Sequence, residues 1–297
     1  MTYPPLPEAL VVPVYDNHTH LEMRLDDDAP DYREQLDLAS SVGIRGVVQV
    51  GTDLETSRWS AETAAREPRM LAAVAIHPNE APVLDAAGEL DAALAEMDEL
   101  AARPRVRAVG ETGLDFFRTG EDGRAAQYRS FEAHIAIAKK HDLALQIHDR
   151  DAHDEVLATL RRVGAPERTV FHCFSGDADM AKLCAENGWY LSFAGTVTFK
   201  NAGNLREALE VIPRSQILIE TDAPFLTPVP FRGRPNAPYL IPHTLRFMAE
   251  FLGTEASMLA AQISSNTELV YGSWDAEPVT QDGTSPFDPA IEPHELA

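Results

Sequence analysis

Eight short apolar runs punctuate the chain: "VVPVYDNH", "IRGVVQVG", "LAAVAIHP", "VRAVGE", "LALQIH", "RTVFHC", "WYLSFAG" and "QILIETDA". Each is bounded by Gly, Pro or a polar residue and followed by residues with helical spacing. Their hydrophobicity is continuous rather than alternating, which suits strands buried on both faces. Strands interleaved with helices argue for a parallel sheet. Eight such units closed on themselves make a (β/α)8 barrel, so the expected fold is an α/β TIM barrel over residues 1–272.

The intervening segments fit an outer layer of helices. Between Asp122 and His141, the positions Tyr128, Phe131, Ile135 and Ala138 are spaced 3, 4 and 3 apart, one face of an amphipathic helix. Asp151 to Gly164 carries Val156, Leu157, Leu160 and Val163 in the same manner and stops at a glycine. Two more helices are expected near Pro242–Leu252 and Glu255–Val270. From Ser273 to Ala297 the apolar period is lost: four prolines and six acidic residues, with no Lys or Arg, read as an acidic C-terminal tail.

Composition narrows the setting. Hydrophobic residues at 44% and charged residues at 24% are ordinary for a folded globular chain. No run approaches the roughly 18 apolar residues of a membrane span, and the first residues lack the basic start of a signal peptide, so a soluble cytoplasmic protein is expected; a monomer is the accompanying expectation. Cys173 and Cys184 are expected to be reduced, buried and small-hydrophobe-like. The formal charge of −22, from 25 Lys plus Arg against 47 Asp plus Glu, excludes electrostatic adhesion to nucleic acid. Any polyanionic substrate has to be drawn by something other than the surface.

Candidate chemistry collects at the carboxyl ends of the predicted strands, the face on which barrel active sites are built. In "YDNHTH", Asp16, His18 and His20 share one face if the strand stays extended. Glu111 ends the fourth strand, His148 the fifth, His172 the sixth and Asp222 the eighth. None of these belongs in an apolar core without a partner. Four imidazoles and two carboxylates are what two divalent cations of the zinc, manganese or magnesium kind require, with positions left for water and substrate. Glu111 and Asp222 alone give the site a charge of minus two; two cations and one hydroxide bring the sum to about plus one, so metal reverses the local sign.

The ordered motifs "DNHTH", "IHPNEAP", "GETGLDFF", "IHDRDA", "HCFSG", "ETDAPFL" and "RGRPNAP" resemble those of the TatD-type deoxyribonucleases, a branch of the amidohydrolase-like barrel hydrolases. The resemblance runs from about Asp16 to Gly272. It implies a two-metal phosphodiesterase, a 3′–5′ exonuclease on single-stranded DNA or DNA with a free 3′ end. It also implies that His18, His20 and Asp222 hold one ion, that His148 and His172 hold the other, and that Glu111 bridges them; chemically, Asp222 is placed to take or steer the proton of the attacking water. Two departures stand out: alanine at Ala75 where the family often has glycine, and Asn79 where it often has a second histidine. Hydrolysis of a small amide, lactone or phosphoester, and metal-dependent binding without catalysis, are the competing readings of the same ligand set.

Around the centre, Asp16 and Asp115 are candidates to orient metal-bound imidazoles or the Glu111 loop. His77, ending the third strand, and Asn79 are candidate substrate contacts. So are Arg150, Lys200, Arg232 and Arg234, as cations for phosphate. The 20-residue loop "APFLTPVPFRGRPNAPYLIP" holds six prolines and is expected to form a fixed wall. Phe116, Phe117, Phe174 and Tyr239 are either stacking surfaces for bases or core. His134, His141, His153, His243 and His294 read as structural or solvent-exposed.

Overall fold

A computed structural model describes residues 2–26 and 29–274. Among these residues eight strands form one parallel sheet in the order of the chain: β1 Val14–Thr19, β2 Ile44–Val50, β3 Met70–Val74, β4 Val106–Asp115, β5 Ala144–Arg150, β6 Thr169–Phe171, β7 Tyr190–Phe193 and β8 Ile217–Ile219. The sheet curls until β8 meets β1. That seam consists of a parallel bridge between Thr19 and Ala223 and backbone bonds Asp222 N–H to His18 O (2.9 Å) and His20 N–H to Ala223 O (2.8 Å). The (β/α)8 barrel expected from the apolar runs is therefore the observed fold.

Among the described residues ten α-helices cover the outside: α1 Tyr32–Ser41, α2 Leu54–Ala64, α3 Ala81–Ala87, α4 Leu90–Ala101, α5 Glu121–His141, α6 His153–Val163, α7 Ala178–Glu186, α8 Gly203–Val211, α9 Ile241–Phe251 and α10 Ala256–Tyr271. The helix expected from Asp122 is α5. It opens on Glu121 and Asp122 and closes on Lys139, Lys140 and His141, matching the helix dipole at both ends, and buries Phe131, Ile135 and Ala138 against the sheet. Side-chain caps start other helices: Asp31 before α1, Asp177 before α7, and a reciprocal Asp53–Thr56 box before α2.

Two apolar cores result. The larger lies between strands and helices. The smaller fills the lower barrel with Tyr15, Val48, Leu71, Ala108, Ala144, Val170 and Leu218, and is plugged from below by Tyr271 and Trp274. Trp274 falls within the stretch read as a tail from Ser273, yet it is buried and stacks on Tyr15 at 4.3 Å between ring centroids. Gly46 is required there, since a Cβ on it would sit 2.5 Å from the Trp274 Nε1. The rest of the acidic stretch, with His294, lies outside the described residues. No helix among the described residues is long and apolar enough to cross a membrane.

Candidate metal centre

Residues two apart on a strand share a face, so the inward positions that build the lower core continue upward into chemistry. Ala144 leads to Gln146 and His148, Val170 to His172, and Leu218 to Glu220 and Asp222. On β1 and β4 the alternation is broken. The register of β1 against β2 shifts between Asp16 and Thr19, and that of β4 against β5 shifts between Val109 and Thr112. Such irregularities re-aim side chains. They turn His18, His20 and Glu111 toward the axis, where His148, His172 and Asp222 already point.

Glu111 is the hub. Its Oε1 lies 3.9 Å from His18 Nε2 and 3.5 Å from His20 Nε2, while its Oε2 lies 3.1 Å from His148 Nδ1 and 2.8 Å from His172 Nε2. Asp222 Oδ1 is 3.8 Å from His18 Nε2 and 3.5 Å from His20 Nε2, and the two imidazole nitrogens are 3.3 Å apart. A cation with bonds of about 2.0–2.2 Å sets its donor atoms about 3.3–3.6 Å apart in a tetrahedral shell. The separations of His20 Nε2 from His18, Glu111 and Asp222, 3.3–3.5 Å, match that shell, and those of His18 Nε2 from the two carboxylates, 3.8 and 3.9 Å, lie just outside it. A second group capable of holding an ion is His77, Glu111 and His148, and a third is His18, His172 and Glu220.

Each candidate ligand ring has its remote nitrogen tied to a partner. His18 Nδ1 faces the Gln146 amide oxygen at 2.9 Å, and His20 Nδ1 donates to the Val50 carbonyl at 2.9 Å. A carbonyl can only accept, so both rings are fixed with Nε2 lone pairs toward the centre. His148 Nε2 meets Asp115 Oδ2 at 3.2 Å, leaving Nδ1 for the centre, and His172 Nδ1 meets Glu220 Oε1 at 3.3 Å, leaving Nε2. This is the outer support that metal-bound histidines usually have. Sequence reasoning missed both Glu220 and Gln146. A signal existed: each is a polar residue on the inward parity of a continuous apolar strand.

Of the carboxylates facing these rings, Glu111, Asp115 and Glu220 are buried and Asp222 is partly buried, and they draw positive charge. Although burial opposes a charged ring, the Asp222 hydrogen bond and Glu111 raise His20 to about 9. Against the same penalty Glu111 and Glu220 hold His172 well above its ordinary value, and Asp115 with Glu111 raises His148. Glu111 is itself held well below the usual carboxylate range: burial is outweighed by His172, His77 and His148. Burial pushes Glu220 up. His18 falls well below its ordinary value through burial and the neighbouring His172, with which its ring stacks at 3.9 Å. Protons and metal ions compete for the same nitrogens.

The centre floors a cavity of about 600 Å³. Its walls carry Glu80, Glu111, Asp115, Asp149 and Asp222 but only two cations, Arg118 and Arg150. His77 is brought to this wall, 3.8 Å from Glu111 Oε2. Its Nδ1 accepts the Asn79 N–H at 3.0 Å, and burial lowers its pKa to about 4. The ring is thus neutral with its proton on Nε2, so although its position would let it join Glu111 and His148 around an ion, in this tautomer it adds a donor to the wall rather than a ligand. Asn79 also lines the cavity, with its amide engaged by Asp115 (3.1 Å) and Thr119 (3.2 Å).

Several expectations need correction. Asp16 orients no imidazole; its carboxylate accepts from the backbone N–H of His18 and Thr221 and from the Thr221 hydroxyl, fastening β1 to the end of β8, and burial raises it to about 7. Asp115 does orient a ring, that of His148. Arg234 is committed to the carbonyls of Thr2 and Tyr3, and Arg232 lies over Phe199 at 4.4 Å. Neither lines the cavity, and Lys200 does not line it either; Arg118 does. Phe174 and Tyr239 are buried core, and Phe116 lies beneath Arg124, leaving Phe117 as the exposed one of the four aromatics. Cys184 is buried as expected, but Cys173 lines the cavity. The proline-rich loop forms a wall through Phe225 and Leu226, anchored by the Asn236 side chain to Thr221 O and Phe225 O. His134 is structural: it accepts the Ile76 N–H at 3.1 Å from inside α5. His141 pairs with Asp98 and His153 with Asp149, and His243 packs on Phe231.

A family model described as "TatD related DNase" matches residues 15–272, nearly all of the described chain. The chain belongs to the TatD-related DNase family. As a member it is a metal-dependent hydrolase acting on ester bonds. It is 44% identical over 261 residues to the "Uncharacterized metal-dependent hydrolase TatD" of Mycobacterium tuberculosis, covering 86% of this chain and 97% of the relative. It is 34% identical over 253 residues to the "3'-5' ssDNA/RNA exonuclease TatD" of Escherichia fergusonii, covering 82% and 94%. Among solved structures, the TatD homologue YJJV of Escherichia coli superposes with a TM-score of 0.79 at 26% identity, over 88% of this chain and 98% of the other.

Proposed function

We propose that the protein is a two-metal phosphodiesterase that trims single-stranded DNA, or DNA with a free end, from its 3′ terminus. The observation that carries this reading is the disposition of Glu111, whose two oxygens face separate histidine pairs: His18 and His20 on one side, His148 and His172 on the other. A carboxylate so shared is suited to join two cations. In this reading His18, His20 and Asp222 would hold one ion, His148 and His172 would hold the other, and Glu111 would serve both. Bound zinc, manganese or magnesium supplies Lewis acidity toward the phosphodiester and lowers the pKa of water. The likeness to a relative named as a 3′–5′ exonuclease supports the substrate class and polarity.

The remaining steps fall to the chain's own groups. Asp222, turned toward His18 and His20 through Oδ1, offers its second oxygen to the proton of the attacking water. The neutral His77 donates its Nε2–H to a non-bridging phosphate oxygen. Arg150 and Arg118 supply the cations nearest the cavity. Gln146, Glu220 and Asp115 keep the rings in their working tautomers.

The test strips the protein with chelator, restores zinc, manganese or magnesium singly, and follows end-labelled single-stranded DNA. Shortening from the 3′ end only after metal is restored is expected, with His148→Ala and Asp222→Asn inactive. Activity in those variants equal to the unaltered protein would reject the assignment; turnover of amides or lactones with DNA left intact would replace it.

A further inference from the structure

Two exposed aromatic rings stand on opposite sides of the barrel mouth: Phe225 lines the cavity, and Phe117 lies beside its wall residue Arg150. Phe117, 62% exposed, follows β4, and Phe225, 48% exposed, follows β8. In an eight-stranded barrel ordered β1 to β8, strands four apart stand across the axis from each other. Both rings are held by their backbones close to candidate ligands. The Phe225 N–H donates to Asp222 O at 2.9 Å and its carbonyl accepts from Asn236. The turn bearing Phe117 is tied by Phe116 N–H to Arg150 O at 2.9 Å and by Arg118 N–H to Asp115 Oδ1 at 2.9 Å. The Arg150 guanidinium, itself a cavity wall, lies over Phe117 at 3.9 Å.

Two large apolar rings left in solvent need an explanation where five carboxylates and two arginines line the walls. Such a cavity offers little Coulombic hold on the length of a polyanion beyond the metal centre. Flat π surfaces grip unpaired bases without regard to sequence or net charge, and an arginine plane extends such a surface. We propose that Phe117 with Arg150 on one lip and Phe225 on the other are stacking platforms for unpaired nucleobases flanking the phosphate at the metal centre. This rests on the phosphodiesterase reading and specifies its substrate: a strand whose bases are free to splay, in preference to a paired duplex or a base-free diester.

The experiment measures fluorescence anisotropy with the full-length, manganese-loaded protein. The probe is a short fluorescein-labelled single-stranded DNA with phosphorothioate linkages at its 3′ end; matched strands carry abasic sites at the last positions, or ribose throughout. Phe117→Ala and Phe225→Ala are each expected to weaken binding of the base-bearing strand by about tenfold, with little change for the abasic strand. Phe117→Trp and Phe225→Trp keep the affinity, and RNA suffers the same loss as DNA because stacking ignores the 2′-hydroxyl. Undiminished binding by both alanine variants overturns the proposal, as does an equal loss on the abasic strand or a loss confined to DNA. Thermal melts check that the variants are folded. Absence of hydrolysis by the unaltered protein would count against the phosphodiesterase reading, whereas the platforms are judged by binding alone.

Discussion

The lower and upper halves of the barrel interior are built by the same strands and have opposite character. Below, Ala144, Val170 and Leu218 pack with Tyr15, Leu71, Tyr271 and Trp274 into an apolar plug. One or two inward positions higher stand Gln146, His148, His172, Glu220 and Asp222. The lower half gains from dispersion and water exclusion. The upper half spends much of that gain holding buried carboxylates and imidazoles around a common point, a cost only cations or protons relieve. Stability and chemistry are thus separated along the strand axis by a few ångströms, the division expected of barrel floors and mouths.

Substitutions at the two ends should fail in different ways. The largest stability loss is expected from Trp274→Ala, which removes the plug against Tyr15 and leaves a cavity: about 3–5 kcal/mol in denaturant unfolding, with metal stoichiometry of the folded fraction unchanged. Metal lost at the same time would show that the halves are coupled. At the upper end, Glu111→Gln should lower hydrolytic activity and metal content by more than the about 10- to 100-fold typical of losing an outer contact, with little cost to the chelator-treated protein's unfolding midpoint. Glu220→Ala should sit within that range, read as metal affinity by titration calorimetry. Glu220→Gln, which can still accept the His172 N–H, should recover part of it; no difference between the two variants would deny Glu220 its orienting role.

Gly113 tests the join between the halves. Its φ is +147°, and a Cβ there would lie 2.0 Å from the His148 carbonyl oxygen. Gly113→Ala is expected to cost about 1–3 kcal/mol and to weaken metal binding, because it pushes the strand that carries His148. The smallest effect is a pH dependence outside the centre. Burial lowers His134 to about 4 from an ordinary 6.5, so the folded state favours its neutral form. Its stabilisation is present above 6.5 and is lost as pH falls toward 4, about 1–2 kcal/mol between pH 7 and pH 5. Asp16, raised to about 7, acts in the opposite sense. Comparing chelator-treated protein with His134→Gln isolates the histidine: an unchanged acid limb in the variant would contradict the assignment.

Much of this was legible before any coordinates. The eight apolar runs became eight strands, and His18, His20, Glu111, His148, His172 and Asp222 converge because strand ends in a barrel face one mouth. What misled was local. Extended geometry put Asp16 beside His18 and His20, but the register shift in β1 sends its carboxylate to Thr221, 205 residues away. Arg234 read as a phosphate contact because it lies in a loop after β8, yet it holds the amino-terminal segment. Glu220 was overlooked because two residues on it is overshadowed by Asp222, although it is fully buried.

Residue type and periodicity, which act over a few positions, determined the elements of this protein, their parallel arrangement and which side chains have chemistry to offer. Only the tertiary structure decided how each imidazole is turned, which carboxylate supports which ring, and which arginines are spent on the scaffold. Those outcomes depend on hydrogen bonds between strands as distant as His18 and Gln146, 128 residues apart. No local preference encodes them, because the partner's position exists only once the barrel has closed.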